Sequence, residues 1–186
     1  MEELKSIIKG CIKGKSKARE LLYRKYSSKL FGVCLQYSRD YTEAEDTLQD
    51  GFIKIFNNIQ SYKFKGSFEG WMRRIMVNTA LEKYRKNRKL FAVEEINEPV
   101  EDLEELDSIS ISADVLLSMV QELPPRYRMV FNLYALDGYA HHEIAEMMEI
   151  SVGTSKSNLA RARQILKKRV EDYLNEQEQL NKLTVC

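Results

Sequence analysis

The spacing of apolar residues is the feature that most constrains the fold. Along most of the chain, apolar side chains recur every three or four positions, which is the period of one face of an α-helix. The alternation of β-branched residues that predicts strands is nearly absent. Only 8 Gly and 3 Pro occur in 186 residues, and both residue types break helices. The sequence therefore predicts an all-α protein.

Charge is distributed unevenly, although the net charge is only +1. Residues 1–92 contain 20 Lys/Arg and 10 Asp/Glu, whereas residues 93–112 contain eight acids, no base and Pro99. Residues 113–186 contain 9 bases and 10 acids. The pattern predicts two small helical domains, at 1–92 and 113–186, joined by a flexible acidic linker. The basic first domain indicates a polyanionic partner, and a merely solvated surface is the alternative.

The few cysteines and histidines argue against disulfides, zinc and catalysis. Cys11, Cys34 and Cys186 lie far apart, no CxxC motif occurs, and the histidines are His141 and His142. Such a set is typical of reduced thiols in a cytoplasmic protein. The sequence has no nucleotide-binding loop, metal-binding cluster or catalytic triad, so we expect neither an enzyme nor a bound metal or cofactor. The N-terminus lacks the long apolar segment of a signal peptide or membrane span, and no membrane contact is expected.

Two helices are predicted early in the basic domain. The first covers residues 17–38, and the second begins near a Thr42 cap and leaves Asp46, Gln49 and Asp50 outside its apolar stripe. An acidic face in a basic domain is unsuited to DNA. It either complements the helix dipole and improves solubility, which composition alone favours, or it docks onto a basic protein surface. The expected core stripes are Leu21, Leu22, Tyr26, Leu30, Val33 and Cys34, and Ala44, Leu48, Phe52, Ile55, Phe56 and Ile59.

A loop that mixes aromatic and basic residues follows. Tyr62 and Phe64 alternate with Lys63 and Lys65, and the next helix ends in five bases within seven residues. Cations that follow phosphates and rings that stack on unpaired bases suit single-stranded nucleic acid. The alternative, that the rings belong to the core, is open for both loop aromatics. The expected core residues of the next helix are Phe68, Trp71, Met72, Ile75 and Thr79.

Four helices are predicted in the C-terminal domain. Pro124–Pro125 ends the first and begins the second, Gly138 ends the second, and the third begins near His141. Ser151 caps the fourth helix. Their expected core residues are Leu116, Met119, Val120 and Leu123; Val130, Leu133 and Tyr134; Ile144, Ala145 and Met148; and Val152, Leu159, Ala162 and Leu166.

The last two helices form a predicted helix-turn-helix with its break at Glu149–Ser151. From Ile150 to Val170 there is no acid and there are six Lys/Arg. An acid there would face phosphates and repel them, so the missing acids favour a recognition helix in the major groove of DNA. The alternative to a DNA-binding motif is a helical hairpin that binds nothing. The outward rows are Lys156, Ala160, Arg163 and Lys167, and Ser157, Arg161, Gln164 and Lys168.

Five segments follow one another along the chain. They are "YRKYSSKLFGVC", "EAEDTLQDGFIKIF", "SFEGWMRRIMVNTALEKYRK", "LPPRYRMVFNLYALDGY" and "HEIAEMMEISVGTSKSNLARAR". Their order and spacing resemble those of extracytoplasmic-function sigma factors, the small two-domain promoter-specificity subunits of bacterial RNA polymerase. The resemblance covers about residues 10–170. It implies a protein that binds core RNA polymerase and directs promoter-specific transcription initiation.

The resemblance implies three groups of site residues. The helix at 43–59 binds core polymerase in this family, which assigns that role to Asp46, Gln49 and Asp50. The segment matching 60–85 melts the −10 element and reads its non-template single strand, and the second domain reads the −35 element as duplex DNA. The expected −10 residues are Tyr62, Lys63, Lys65, Ser67, Arg73, Arg74, Asn78, Lys83 and Arg85. The expected −35 residues are Thr154, Lys156, Ser157, Asn158, Arg161, Arg163, Lys167 and Lys168.

The resemblance also implies an anti-sigma partner and a linker that runs through the RNA channel of polymerase.

Four residues depart from the family pattern. Glu149 replaces a usual Gly in the turn, Ala140 replaces a usual Ser or Thr cap, and Gly51 interrupts the docking helix, each at a cost of about 1 kcal/mol. Asn158 replaces a usual Arg, which changes the expected −35 sequence preference.

Two other functions are open from the sequence. A free-standing helix-turn-helix regulator would bind duplex DNA as a dimer, but the acidic helix and the aromatic-basic loop disfavour it. A protein that binds polymerase without DNA would have no need of a basic recognition helix.

Overall fold

The computed structural model describes residues 2–90 and 111–184, with side chains at 3–87 and 111–179. Within these ranges all regular elements are helical and no strand occurs, which confirms the predicted all-α fold. Most of the predicted acidic linker lies outside the described residues. No helix in the described part of the chain is long and apolar enough to cross a membrane.

The first compact unit, Met1–Phe91, contains four helices. They are α1 Glu2–Ile12, α2 Ser16–Tyr37, α3 Tyr41–Asn58 and α4 Phe68–Leu90, and a 3₁₀ turn at Ile59–Ser61 follows α3. α2 is central, because it packs against each of the other three helices, while α3 also packs against α4. The sequence did not predict α1, whose apolar stripe is short and interrupted by lysines. Its buried residues are Ile7, Ile8 and Cys11.

The core stripes of α2 and α3 agree with the prediction except at Leu21 and at Phe56, which is half-buried. The other predicted α2 residues are buried, whereas Leu21 is 46 % exposed. It lies at the margin of the contact between α1 and α2 rather than within it. Burial raises the pKa of the Cys34 thiol on this stripe to about 12, so Cys34 is an unreactive core residue.

The start of α3 is capped by Asp40 and not by Thr42. The Asp40 carboxylate accepts a hydrogen bond from the backbone N of Glu43 at 2.8 Å, and the Glu43 carboxylate accepts one from the backbone N of Arg39 at 2.7 Å. These reciprocal bonds satisfy two donors at the helix end. The bond from the Glu43 N–H is the main cause that lowers the pKa of Asp40.

Gly51 lies where α3 comes close to α4. A Cβ at this position would lie 2.1 Å from Sδ of Met76 and 2.8 Å from its Cε. Met76 is 1 % exposed, so its thioether group has little room to move aside in a close-packed core. The expectation that Gly51 only weakens α3 is therefore corrected, because the missing side chain permits the contact with α4.

We predict that Gly51→Ala destabilises the protein by about 1–2 kcal/mol, because overpacking at Met76 exceeds the gain in helix propensity. Gly32→Ala is the matched control, since Gly32 is also helical and a Cβ there meets nothing within 4 Å. The free energy of unfolding of the Gly32→Ala control should rise by up to about 1 kcal/mol. Both free energies of unfolding are measured by chemical denaturation. Equal stabilisation of the two variants would contradict the role assigned to Gly51.

The second compact unit, Ala92–Cys186, also contains four helices in its described part. They are α5 Ala113–Gln121, α6 Pro125–Phe131, α7 His141–Met148 and α8 Val152–Thr184, and a π turn at Asn132–Leu136 follows α6. α8 packs against α5, α6 and α7. The core includes Leu123, Tyr127, Val130, Leu133, Ile144, Met148, Leu159 and Ala162.

Two arginines bind the C-terminal end of α5. The buried Arg128 of α6 donates to the carbonyl oxygen of Gln121. Arg169 of α8 donates to the carbonyl oxygen of Met119 at 2.9 Å, and it also lies 2.8 Å from the carboxylate of Glu122. The carbonyl groups at a helix end lack partners within the helix, so these contacts both cap α5 and join it to its neighbours.

Three residues that were predicted to be buried are exposed in this unit. Leu116, Tyr134 and Val152 are 42 %, 37 % and 43 % exposed. Leu116 lies in the N-terminal half of α5, ahead of the contacts that the arginines make. Tyr134 lies in the π turn, where the N of Asp137 donates to the carbonyl of Asn132 at 3.0 Å, and this wider turn rotates side chains off the α-helical stripe. Val152 is the first residue of α8, so no preceding turn covers it.

Candidate functional site

The acidic side of α3 is exposed, as the apolar pattern predicted. Asp46, Gln49 and Asp50 all lie on its outer side. Ile53 lies on the same side one turn further along and is 59 % exposed. No role was predicted for Ile53 from the sequence, although an apolar residue outside the core stripe is a usable signal of a contact surface. We name these four residues the docking face, which combines carboxylates with an apolar contact.

Two ion pairs join α3 to α4 beside the docking face. The carboxylate of Asp50 lies 2.9 Å from Nζ of Lys83, and the carboxylate of Glu82 lies 2.5 Å from Nζ of Lys54. The expected DNA contact of Lys83 is corrected, because its ammonium group is engaged with α3. At about 100° per residue, Lys83 lies about 180° around α4 from Arg74.

Tyr62 is a core residue and not an exposed stacking ring. It is 8 % exposed, and its hydroxyl donates to the carbonyl oxygen of Gly66 at 2.8 Å. Its ring centroid lies 4.8 Å from that of Phe68 and 5.6 Å from that of Trp71. The predicted DNA contact of Tyr62 is therefore corrected. Its ring supports the loop from beneath, and its hydrogen bond across the loop fixes the loop's shape.

The loop exposes Phe64 instead. This ring is 44 % exposed, and its backbone adopts a left-handed φ of 57°, which costs a bulky residue about 1 kcal/mol or more. Lys63 and Lys65 on either side are exposed, and Trp71 behind them is half-buried. The loop thus presents one aromatic ring between two cations. The sequence did not decide whether the Phe64 ring is buried or exposed, because the alternation of aromatic and basic residues does not reveal which ring turns inward.

One side of α4 continues this basic surface. Arg74, Asn78 and Arg85 are spaced four and seven residues apart, which places them on one helix face. Arg74 and Asn78 are exposed, and Arg85 is half-buried. With the loop residues they form what we name the aromatic-basic face. Its members are Lys63, Phe64, Lys65, Arg74, Asn78 and Arg85.

Two other predicted −10 residues have structural partners. The hydroxyl of Ser67 accepts a hydrogen bond from the backbone N of Gly70 at 3.2 Å, which caps α4. Arg73 Nη2 donates to Oε1 of Gln36 at 3.4 Å. Both contacts stabilise the structure that supports the aromatic-basic face, and the predicted DNA contacts of Ser67 and Arg73 stay predictions.

Hydrogen bonds fix the turn of the helix-turn-helix. Glu149 is left-handed, with φ 56° and ψ 49°. The backbone N of Ile150 donates to the carbonyl of Ala145 at 3.0 Å, the pattern that ends a helix at a left-handed residue. The hydroxyl of Ser151 accepts from the backbone N of Thr154 at 2.9 Å and caps α8, as predicted. A glutamate in this conformation costs about 1 kcal/mol, as the sequence led us to expect.

The outer side of α8 is basic over three turns. Lys156, Arg163 and Lys168 are exposed, and Arg161 and Lys167 are half-buried. We name these five residues the groove face. It extends about 18 Å along the helix axis, and a helix of this diameter fits a major groove about 12 Å wide.

Three predicted −35 residues do not present free side chains to this surface. Asn158 is 7 % exposed, so its expected contact with a base edge is corrected. The hydroxyl of Thr154 lies 2.8 Å from that of Ser151, and the hydroxyl of Ser157 donates to the carbonyl of Thr154 at 3.1 Å. These groups shape the first turns of α8.

An aromatic column connects the π turn to both helices of the motif. The rings of Tyr134 and His141 stack with centroids 4.7 Å apart, and the guanidinium of Arg163 lies 5.7 Å from the Tyr134 ring. Nδ1 of His141 lies 2.9 Å from the hydroxyl of the buried Ser155. Burial and then the charges of Lys156 and Arg163 lower the pKa of His141. A neutral His141 therefore supports the ring against which Arg163 lies.

Comparison with known proteins identifies the family. The models "Sigma-70 region 2" and "Sigma-70, region 4" match residues 22–90 and 113–166. The RNA polymerase sigma-H factor of Pseudomonas aeruginosa is 26 % identical across 94 % of this chain and 97 % of that protein. The ECF RNA polymerase sigma factor SigW of Bacillus subtilis is 28 % identical across 91 % of this chain and 97 % of that protein. The chain belongs to the extracytoplasmic-function (ECF) sigma factors.

The ECF sigma factor directs transcription initiation, and its family consists of sigma factors rather than enzymes. Its fold is similar to the sigma factor RpoE of Bartonella quintana, solved with the anti-sigma factor NepR. The TM-score is 0.51 at 19 % identity, across 82 % of this chain and 96 % of that chain. The docking and aromatic-basic faces lie within the region 2 match, whereas the groove face begins in the region 4 match and ends at Lys168, just beyond it.

We predict that Tyr134 positions Arg163 for DNA binding by this sigma factor. Tyr134→Leu removes the ring and should weaken binding to a −35 duplex about two- to fivefold, whereas Tyr134→Phe keeps the ring and should bind like the parent. In an Arg163→Ala background, Tyr134→Leu should add little, because both changes remove the same contact. Affinity is measured by fluorescence anisotropy with core polymerase present. Fully additive losses would contradict this coupling.

Proposed function

We propose that the ECF sigma factor uses three separate surfaces for three partners. The docking face binds core RNA polymerase, the aromatic-basic face reads the single-stranded non-template −10 element, and the groove face reads the −35 element as duplex. The observation that carries this proposal is the presence, in one chain, of exposed surfaces with three different chemistries. A regulator that binds only duplex DNA would need the groove face alone.

The docking face suits a basic protein surface. Asp46 forms no ion pair within the described residues, so its carboxylate is available to a partner. Ile53 beside it supplies apolar area. Charged groups around an apolar contact are typical of protein interfaces, where they guide association and fix orientation. DNA phosphates would be repelled by the same carboxylates.

The aromatic-basic face suits an unpaired strand. Phe64 offers an exposed ring on which one base can stack, a contact worth about 1–3 kcal/mol. Lys63 and Lys65 flank the ring, and Arg74 continues the positive charge along α4, where phosphates of the same strand would pass. The buried Tyr62 and its bond to Gly66 hold the loop in place beforehand, which lowers the entropic cost of binding.

The groove face suits duplex DNA. Residues in the first turns of a recognition helix reach deepest into the groove, so Lys156 and Arg161 are placed for base edges. Arg163, Lys167 and Lys168 lie further along, where phosphates are the nearer partners. Burial of Asn158 leaves Arg161 as the principal candidate for base recognition, and Arg prefers guanine.

We further propose that the protein acts by binding alone, without catalysis, in the cytoplasm, where polymerase and promoter DNA meet. No cluster of His, Cys, Asp and Glu that could hold a metal occurs in the described ranges. An anti-sigma partner is part of the proposal, as RpoE of Bartonella quintana was solved with NepR. The path of the predicted linker at 93–112 stays a prediction.

Charge reversal on the docking face tests the polymerase contact. Asp46→Lys should weaken core polymerase binding at least about tenfold, or about 1.4 kcal/mol, because it places a cation against a basic surface. Asp46 is preferable to Asp50, whose reversal would also break the pair with Lys83. Glu176→Lys is the matched control, since Glu176 is an exposed helical acid on α8 that lies outside the docking face.

Binding is measured by titrating labelled sigma factor with core polymerase, and circular dichroism verifies the fold of each variant. Glu176→Lys should lose less than about threefold in affinity, in line with a remote surface charge. Equal losses for the two folded variants, or no loss for Asp46→Lys, would overturn the docking assignment.

The groove face should divide its contacts along α8. Arg161→Ala should lose about 1–3 kcal/mol at the preferred −35 sequence and relax base preference at one position. Lys168→Ala should weaken all sequences alike and lower the slope of log affinity against log salt by roughly one. The measurement is affinity for a −35 library at several salt concentrations, with polymerase present. A uniform loss for Arg161→Ala would contradict its assignment to base recognition.

A further inference from the structure

An open groove of about 670 Å³ runs between α1 and the first turns of α2. None of the three proposed surfaces uses it. Its rim is unusually rich in one residue type, because half of its ten lining residues are lysines. These are Lys5, Lys9, Lys13, Lys15 and Lys17, and all five are exposed.

The described residues do not neutralise the positive charge of this groove. None of its lysines forms an ion pair with a described residue, and no described lining residue is acidic. Two described acids on the same helices are engaged elsewhere, since Glu3 lies 3.8 Å from Lys25 and Glu20 lies 2.8 Å from Arg24. Like charges held close together repel, and an anionic ligand would relieve that repulsion.

The floor of the groove is aliphatic. Gly10 brings α1 against α2, because a Cβ there would lie 2.7 Å from Cβ of Ala18. Ile7 lies in the floor, and Leu21 lies at its edge with 46 % of its surface exposed. No aromatic ring is among the described lining residues, so bases have no platform for stacking. A ligand that carried only phosphates would satisfy the lysines and leave Leu21 in water.

We propose that the groove binds an acidic amphipathic segment of a partner protein. Its carboxylates would meet the lysine rim, and its aliphatic side chains would cover Leu21 and the floor. Lys5 and Lys9 are four residues apart on α1, about 6 Å along its axis, and Lys13 lies one residue beyond the end of this helix. Carboxylates spaced four residues apart on a second helix repeat at the same distance, so the two rows match. This surface is distinct from the docking face, which is acidic and seeks a basic partner.

The test uses the full-length protein and synthetic probes. One probe is an amphipathic helical peptide of Glu and Leu, and its control is a peptide of the same charge and length made of Glu and Ser. Single-stranded and duplex oligonucleotides without promoter elements provide the nucleic-acid arms. We expect the Glu/Leu peptide to bind about tenfold more tightly than the Glu/Ser peptide, since covering one Leu contributes about 1.5 kcal/mol or more. Calorimetry measures each affinity.

Two pairs of variants locate the binding. Lys9→Glu should weaken the Glu/Leu peptide about fivefold or more, whereas Lys86→Glu, an exposed helical lysine outside the groove, should not. Leu21→Ser should remove the preference for Glu/Leu over Glu/Ser, whereas Leu116→Ser, at an equally exposed leucine, should keep it. Circular dichroism and thermal unfolding of all four variants should match those of the parent, which verifies their fold.

Three results would overturn the proposal. Equal binding of the two peptides would remove the role of the aliphatic floor. Peptide binding that is insensitive to Lys9→Glu would place the site elsewhere, for example on the groove face. Tighter binding of an oligonucleotide than of the Glu/Leu peptide, lost in Lys9→Glu, would make the groove a nucleic-acid surface instead.

Discussion

The contact between α3 and α4 is the constraint on which the first unit depends. Gly51 allows the two helices to meet over Met76, and the pair between Asp50 and Lys83 joins their outer edges. α3 turns its acidic side outward, and α4 turns its basic side away from α3. A change in this contact would therefore shift the docking face relative to the aromatic-basic face. If the two faces act as proposed, that coupling makes the position of the −10 strand depend on how polymerase is held.

In the second unit, the direction of the recognition helix depends on local hydrogen bonds rather than on favourable residue choices. Glu149 takes a left-handed conformation where Gly would be easier, and Ala140 offers no side-chain cap to α7. The carboxylate of Glu143 compensates by accepting a hydrogen bond from the N of Ala140 at 2.8 Å, and Ser151 caps α8. The left-handed Glu149 and the missing cap at Ala140 each cost about 1 kcal/mol of stability. The unit tolerates both costs because the buried faces of α7 and α8 pack against each other.

The sequence predicted the features that depend on periodicity. The buried stripe of each predicted helix was found at least in part, since burial of one face imposes a period of 3.6 residues on the chain. In α5 and α8, only half of the predicted stripe is buried. The exposure of Asp46 and Gln49 followed from the same pattern, because residues off the stripe face solvent. The left-handed turn at Glu149 was expected from the family resemblance, since the family usually has Gly at this position.

The errors concern contacts that the fold makes, both within a loop or turn and between helices. Tyr62 and Phe64 are equivalent in the sequence pattern. Only the structure shows that the hydroxyl of Tyr62 donates to the carbonyl of Gly66 and that the Tyr62 ring packs against Phe68 and Trp71. In the sequence, Lys83 looks like any other basic residue of α4, and only the structure shows that Asp50 lies beside it. The π turn displaced Tyr134 by a fraction of a turn, which no apolar spacing records. Each of these depends on tertiary packing, which a one-dimensional pattern does not contain.

In vitro transcription is the most direct measurement of whether this chain works as a sigma factor with two DNA-reading units. Core RNA polymerase, the full-length protein and a library of promoter fragments varied at −35 and −10 would be combined, and the fragments that yield transcripts sequenced. We expect transcripts only when the protein is present, from fragments that share two short elements, with the non-template strand unpaired at the −10 element. Selective binding of the protein to duplex fragments without any initiation by core polymerase would contradict this and indicate a free-standing regulator.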